Sequence, residues 1–291
     1  MRSAPAIRVA LGVDIGGTNI RAARVDEDGH VEWQRTIATD SGPEPTALVV
    51  ELCREGLDDA VEAVGIGVPG RLDGERTTVL SSGYVELAGQ RLGQVVGSAL
   101  GRPVRLENDA AMALIAEHRL GAAVGAQDVV LFTAGTGIGG ALAVGGKLLR
   151  GRGNAGQLGH LALDRSGPAC NCGRQGCSEM LASGTALGHL MRANGLAPGT
   201  SVEALLERPD EPAAAAVLGR WSAAWRAAID TVVAVLDPEL VIIGGGLGAA
   251  VVAALETSRA ATSPWFDCPV AAADLGDDAG VIGAGLCALS P

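Results

Sequence analysis

The chain has 291 residues, a length that suits two domains of roughly 100–200 residues each better than one core. Hydrophobic residues make up 48% of it, which excludes a disordered chain, and aromatics only 2%, so its cores must be built from Ala, Val, Leu and Ile. A formal net charge of −11 excludes a protein whose main partner is the nucleic-acid backbone, because such binding needs a basic face.

The N-terminal stretch MRSAPAIRVALGVDIGG starts apolar, but Asp14 and a Gly pair interrupt it before it can serve as a signal segment. No apolar run reaches the roughly 18–20 residues that span a bilayer. The expectation is a soluble, cytoplasmic protein without a membrane partner. Residues 7–15 (IRVALGVDI) read as a buried strand, and Gly16-Gly17 turns the chain into 20–38 (IRAARVDEDGHVEWQRTIA), with Asp28-Gly29 as a hairpin turn. A helix over about 45–60, the strand AVGIGVPG, a helix over about 89–100 and the strand PVRLEND follow, so the first lobe is α/β.

A helix over 110–120 (AAMALIAEHRL) leads to the strand DVVLFTAG, a glycine turn and the paired strand GGALAVGGKLL. The units VDIGGTNIRAARV and FTAGTGIGGALAV share this strand–turn–strand plan and read as a distant internal duplication. Residues 151–180, rich in Gly, Cys and Asn, lack any helical or strand period and need a staple. Trp221, Trp225, Ile229, Val232 and Leu236, three or four apart, predict an amphipathic helix ending at Asp237-Pro238. The tryptophan stripe reads as core or subunit interface. The strand ELVIIGGG and the apolar helix GVIGAGLCAL close the chain.

Three glycine-rich turns follow apolar strands. At Asp14-Ile15-Gly16-Gly17-Thr18-Asn19 the glycines admit close backbone approach to a polyphosphate, Thr18 adds a hydroxyl, and Asp14 is placed to hold magnesium through water; a plain type I′ hairpin turn is the alternative. Thr133-Ala134-Gly135-Thr136-Gly137 offers a second phosphate loop. Gly244-Gly245-Gly246 leaves room for adenine and ribose. No Gly-Lys-Ser/Thr pattern of a P-loop is present. In Glu107-Asn108-Asp109, Asp109 is either the base that accepts a proton from a sugar hydroxyl during phosphoryl transfer or a cap of the following helix.

His160 with Cys170, Cys172 and Cys177 offers one imidazole and three thiolates, the donor set of a closed structural zinc site; free buried thiols or a disulfide are the alternatives. Cys53, Cys268 and Cys287 read as small core residues, and His30, His118 and His189 as surface residues.

Together these residues resemble the ROK family, named for repressors, open reading frames and kinases, from about Val9 to Gly285. Cys170-Asn171-Cys172-Gly173-Arg174-Gln175-Gly176-Cys177-Ser178-Glu179 matches the family pattern C-x-C-G-x-x-G-C-x-E at every fixed position. The resemblance implies an actin-like (ribonuclease-H-like) ATPase fold of two α/β lobes with a central cleft. Residues 1–109 are expected to form a small lobe, completed by the C-terminal helix 281–291, and 110–280 a large lobe with the zinc-stapled segment 151–180.

It further implies ATP, Mg2+ and structural Zn2+ as cofactors, with Asp109 as catalytic base. Gly70, Arg71, Asn108, Gln157, His160 and Glu179 are implied as sugar ligands, His160 also binding zinc through its other ring nitrogen. Asp14, Gly16, Gly17, Thr18, Asn19, Thr133, Gly135, Thr136 and Gly137 map onto phosphate loops, and Gly244, Gly245 and Gly246 onto the adenosine loop. The implied activity is ATP-dependent phosphorylation of a hexose at O6, glucose first. An N-acetylhexosamine kinase and a non-catalytic sugar sensor are the alternatives. A DNA-binding regulator is disfavoured, since only about a dozen residues precede Asp14. The implied assembly is a homodimer or homotetramer.

Two positions depart from the pattern. Gln157 stands where kinases of the family usually carry Glu, exchanging a pure acceptor for a group that also donates, and Ala111 stands where Asn is frequent.

Overall fold

The computed structural model describes residues 7–39, 44–83, 85–258 and 265–290; the first six residues of the N-terminal stretch lie outside it. The chain separates into two compact units, one of Met1–Val124, Arg150–Ala155 and Asp277–Pro291, the other of Gly125–Leu149 and Gly156–Gly276.

The first unit opens with β1 (Val9–Ile15), β2 (Asn19–Asp26) and β3 (Val31–Ala38), continues with α1 (Pro45–Gly56), β4 (Val61–Val68), β5 (Arg71–Leu72), β6 (Val79–Ser81) and α2 (Leu92–Leu100), and reaches β7 (Val104–Asn108) and α3 (Asp109–Leu120). The second contains β8 (Val129–Ala134), β9 (Ile138–Val144), β10 (Lys147–Leu148), α4 (Ser178–Ala182), α5 (Gly184–Ala193), α6 (Val202–Leu206), α7 (Pro212–Leu236), β11 (Leu240–Gly244), α8 (Gly248–Ser258) and β12 (Val270–Ala272). The chain then returns to the first unit as α9 (Ala279–Leu289).

Each unit is built on a five-stranded sheet, ordered β3-β2-β1-β4-β7 in the first and β10-β9-β8-β11-β12 in the second. In both, an antiparallel hairpin supplies the central strand and two parallel strands extend the other side. This common order is the plan that the two strand–turn–strand repeats predict.

The first sheet packs on α9 at unusually short range. A Cβ at Gly12 of β1 would lie 2.0 Å from the Val281 carbonyl oxygen, and one at Gly65 of β4 would lie 1.9 Å from that of Ala284. On its other side α9 meets α3, where a Cβ at Gly283 would lie 1.7 Å from the Met112 carbonyl oxygen. These contacts account for the small apolar composition of the C-terminal segment. They also place α3 in the first unit, beyond the 109/110 division expected from sequence.

The second core centres on Phe132, Trp221 and Trp225. Phe132 and Trp225 pack edge to face at 5.7 Å between centroids, and Trp221 and Trp225 at 6.5 Å. Both tryptophans are fully buried inside this one unit, so the stripe is core and gives no support to a subunit interface.

Other boundaries shift for local reasons. α1 stops at Gly56, short of the expected residue 60, because Asp58 turns the chain: its Oδ1 accepts from Ala60 N–H at 3.0 Å. α2 starts at Leu92, since Gly89 (φ 81) spends its amide on the Val79 carbonyl of a tight turn. The five-residue helices α4 and α6, α8, the hairpin β5–β6 and β12 carry too little periodicity for sequence to predict them, whereas the ten-residue α5 is amphipathic and capped by Ser183. No helix among the described residues is long and apolar enough to cross a membrane.

Candidate active site

In the first unit β1 carries Asp14 as its next-to-last residue, and the Gly16 amide donates to the Asn19 carbonyl at 2.9 Å. None of residues 16–19 takes a left-handed φ, which rules out the type I′ hairpin alternative for Gly16, Gly17, Thr18 and Asn19. Thr39 ties the turn down: its N–H donates to the Thr18 carbonyl at 2.8 Å and its hydroxyl to that of Gly16 at 2.9 Å. Gly17, Thr18 and Asn19 stay exposed.

Asn108, at the end of β7, takes the cap role for which Asp109 was the candidate. It has extended backbone angles, and its Oδ1 accepts from Ala111 N–H at 3.3 Å. Its Nδ2 donates to the Gly70 carbonyl at 3.1 Å, joining the cap to the Val-Pro-Gly turn. Gly70 needs its glycine: φ is 108, and a Cβ would lie 2.2 Å from the Ser81 carbonyl oxygen. Arg71, next to it, is exposed.

With the cap supplied by Asn108, Asp109 occupies the first turn of α3, where its Oδ1 accepts from the Ala110 amide at 2.9 Å and the Asn108 side chain also bonds its carboxyl. It shares its surroundings with Asp14. Gly67 of β4 lies between them, since a Cβ there would stand 3.5 Å from both Asp109 Cα and Asp14 Oδ1. Burial, and then the charge of Asp14, push the Asp109 carboxyl up to about 7, against the pull of the backbone amides beside it. Burial also raises Asp14 to about 6; Arg21, its cross-strand partner, pulls it down and Asp277 pushes it up.

In the second unit the β8–β9 turn carries Thr133, Gly135, Thr136 and Gly137. Thr133 Oγ1 accepts from Gly139 N–H at 3.1 Å, and the Gly135 amide donates to the Gly137 carbonyl at 3.0 Å. The loop after β11 stacks directly on this turn: Gly245 (φ 78) would place a Cβ 2.6 Å from the Ala134 carbonyl oxygen, and Leu247 N–H donates to that oxygen at 3.0 Å. Gly244 and Gly246 flank it, Gly246 facing open space. Thus the two loops assigned to phosphate and adenosine are neighbours.

Glu179, on α4, spends one oxygen on the same turn, accepting from Ile138 N–H at 3.0 Å. The 3-10 turn Leu158–His160 leans on the start of β9, where a Cβ at Gly159 would lie 2.1 Å from the Ile138 carbonyl oxygen. Gln157 accepts the His160 amide at 3.0 Å through its carbonyl.

His160, Cys170, Cys172 and Cys177 bring one ligand atom each to within 4.8 Å of one another. His160 Nδ1 lies 3.7 Å from Cys170 Sγ, and Cys172 Sγ lies 3.5 Å from Cys177 Sγ. Both distances are edges of the size expected when donors sit about 2.0–2.3 Å from one tetrahedral ion, and the cysteines are unbridged. The residues therefore fit zinc, held through Nδ1, which leaves Nε2 of His160 for another partner.

Some participants escape a reading of the sequence. Gly67 and Gly280, whose Cβ would lie 2.9 Å from the Asp14 carboxyl, make room for that side chain. Arg21 binds Asp277 at 3.2 Å beside it. In the second unit Gly184 N–H donates to the Gly135 carbonyl at 2.8 Å and Thr185 Oγ1 to that of Thr136 at 2.9 Å, so the start of α5 buttresses the β8–β9 turn. Ser183, which caps α5 through Ala186 N–H, was the available signal.

Residues 10–290 match the family model described as ROK family. A glucokinase from Streptomyces coelicolor is 32% identical over 97% of this chain and 98% of its own length. An N-acetylmannosamine kinase from Escherichia fergusonii is likewise 32% identical, over 96% and 97%. The crystal structure of a ROK family glucokinase from Streptomyces griseus in complex with glucose and AMPPNP superposes with a TM-score of 0.82 at 34% identity, covering 96% of this chain and 99% of that one.

Proposed function

The chain belongs to the ROK family, and from that premise we propose that it is an ATP-dependent hexose kinase whose preferred acceptor is the 6-hydroxyl of glucose. The observation that carries the reading is Asp109, a carboxylate freed from capping by Asn108 and raised to about 7, where a base both holds and releases a proton near neutrality.

As the glucose oxygen attacks the γ-phosphorus, its proton passes to Asp109, the new O–P bond replaces the bond to the β-phosphate oxygen, and ADP departs. Gly70, Arg71, Asn108, Gln157, His160 and Glu179 are the sugar ligands in this proposal. Residues 16–19 and Thr133–Gly137 bind phosphates through backbone amides and hydroxyls, and Gly244–Gly246 the adenosine. Asp14 would hold Mg2+, which would supply charge neutralisation, and His160, Cys170, Cys172 and Cys177 would hold zinc, which would fix the His160 imidazole.

A second acceptor class, the N-acetylhexosamines, is favoured by Gln157 and by the equal identity to an N-acetylmannosamine kinase. Phosphorylation assays with ATP and Mg2+ on glucose, mannose, fructose, N-acetylglucosamine and N-acetylmannosamine test the proposal. Glucose is expected to give the highest kcat/KM; turnover of N-acetylmannosamine alone would transfer the assignment, and no turnover of any hexose would end it.

A further inference from the structure

The geometry points to Glu107 as a positioning residue for sugar binding, an inference that rests on the kinase reading above. Glu107 lies on β7 immediately before Asn108 and is only 4% exposed. Its Oε1 accepts the Asn108 backbone N–H at 3.2 Å. Its Oε2 accepts from Arg150 Nε at 2.7 Å and faces Arg76 Nε at 3.7 Å. One carboxylate thus joins three separate stretches of the first unit: the end of β7, the β5–β6 turn and the strap Arg150–Ala155.

Both partners sit in backbone that needs holding. Arg76 takes a φ of 53, a left-handed conformation that a residue with a Cβ enters at a cost, inside a turn cinched by Asp73, whose Oδ1 accepts from Thr77 N–H at 2.7 Å. Arg150 is the knot of the strap: its carbonyl accepts the amides of Gly153 at 2.8 Å and Ala155 at 3.1 Å, while its guanidinium reaches Glu107. Between these points Gly151 (φ 54) and Gly153 (φ 107) turn left-handed. Gly153 also lies against the β5–β6 turn, where a Cβ would come within 3.2 Å of the Asp73 carbonyl oxygen.

The strap runs in sequence straight into Gly156, Gln157 and the 3-10 turn that ends at His160, the segment that carries sugar ligands in the proposal above. Chain that is already ordered before the sugar arrives loses less freedom on binding. The charge-assisted bond between Glu107 and Arg150 provides that order, and it does so from the residue next to Asn108. Arg76 and Arg150 are 35% and 39% exposed at the side chain, so water can solvate them when the carboxylate is removed and the fold survives the loss.

Glu107→Gln keeps the volume and removes the charge, and Arg150→Met removes the partner. Each is expected to raise the KM for the sugar tenfold or more while kcat and the KM for ATP stay within twofold, and the double variant to be no worse than the weaker single one. Trypsin supplies a second readout independent of turnover, because Arg150 and Arg152 are both cleavage sites in the strap. Cleavage there is expected to be at least tenfold faster in Glu107→Gln than in the parent protein. Unchanged sugar KM and unchanged cleavage would overturn the inference. So would an equal loss at the sugar and ATP sites accompanied by a lower urea midpoint, which is the signature of a merely structural role. If the parent protein phosphorylates no hexose, the kinase reading fails, and the cleavage rates still decide whether Glu107 holds the strap.

Discussion

Replacing Asp109 by Asn is expected to stop turnover and, above neutral pH, to make the protein more stable. The carboxyl is raised from 3.8 to about 7, chiefly by burial and then by Asp14. That is roughly three pH units, each equivalent to about 1.4 kcal/mol, so the ionised form carries a penalty of at most about 4 kcal/mol. Its partial accessibility lets water relieve some of this, leaving roughly 2 kcal/mol. The sign follows from linkage. Below pH 3.8 the group is neutral folded or unfolded and contributes nothing; as pH rises to about 7 the unfolded chain ionises first, and stability is lost across that window.

Asn has no such titration, and its Oδ1 still accepts from Ala110 N–H as Asp109 does. The difference in stability between variant and parent should therefore be near zero at pH 4 and about 2 kcal/mol in favour of the variant at pH 8, read from urea unfolding. Turnover, followed by ADP release in the presence of sugar, should fall by about 10²-fold or more at the same pH. A variant less stable than the parent at pH 8 would show that the carboxylate is there to hold α3. Turnover within tenfold of the parent would remove Asp109 from the chemistry.

The pH profile of kcat/KM should rise through an apparent pKa near 7 and then level, because the base must be ionised to accept the proton; a flat profile from pH 5 to 8 contradicts this. Purified protein should hold one zinc per chain by metal analysis, and Cys170→Ser should lose the metal and expose the 161–178 segment to protease; metal-free protein of undiminished stability would refute the site. Gly283→Ala should cost about 3 kcal/mol or prevent folding, since its Cβ would enter the Met112 carbonyl oxygen at 1.7 Å, whereas Gly125→Ala meets nothing within 4 Å and pays only for its φ of 88. Trp221→Phe should be costlier than Trp225→Phe by about 1 kcal/mol in urea unfolding: Trp221 Nε1 donates to the Ala182 carbonyl at 2.7 Å, while Trp225 Nε1 is buried with no hydrogen-bond partner among the described residues.

Sequence alone determined what depends on short spacing. The strand–glycine–strand units, the cluster of His160 with Cys170, Cys172 and Cys177, and the Glu107-Asn108-Asp109 string are local patterns, and each is found at nearly the predicted place because backbone period and turn chemistry act over a few residues. The cysteine motif carried the family as well. Tertiary structure alone decided the matters that depend on residues far apart in the chain. It gave the cap to Asn108 and released Asp109, since the Gly70 carbonyl, 38 positions upstream, fixes the Asn108 amide. It moved α3 and the strap Arg150–Ala155 into the first unit, through carbonyl-to-glycine contacts with α9 and an ion pair across 43 residues. It buried the tryptophan stripe, because Phe132 and the helix of Trp221 and Trp225 close on each other inside one unit. The raised carboxylates belong to the same class: burial and the approach of Asp14 to Asp109 are properties of the packed sheet and helices, and no window of sequence contains both.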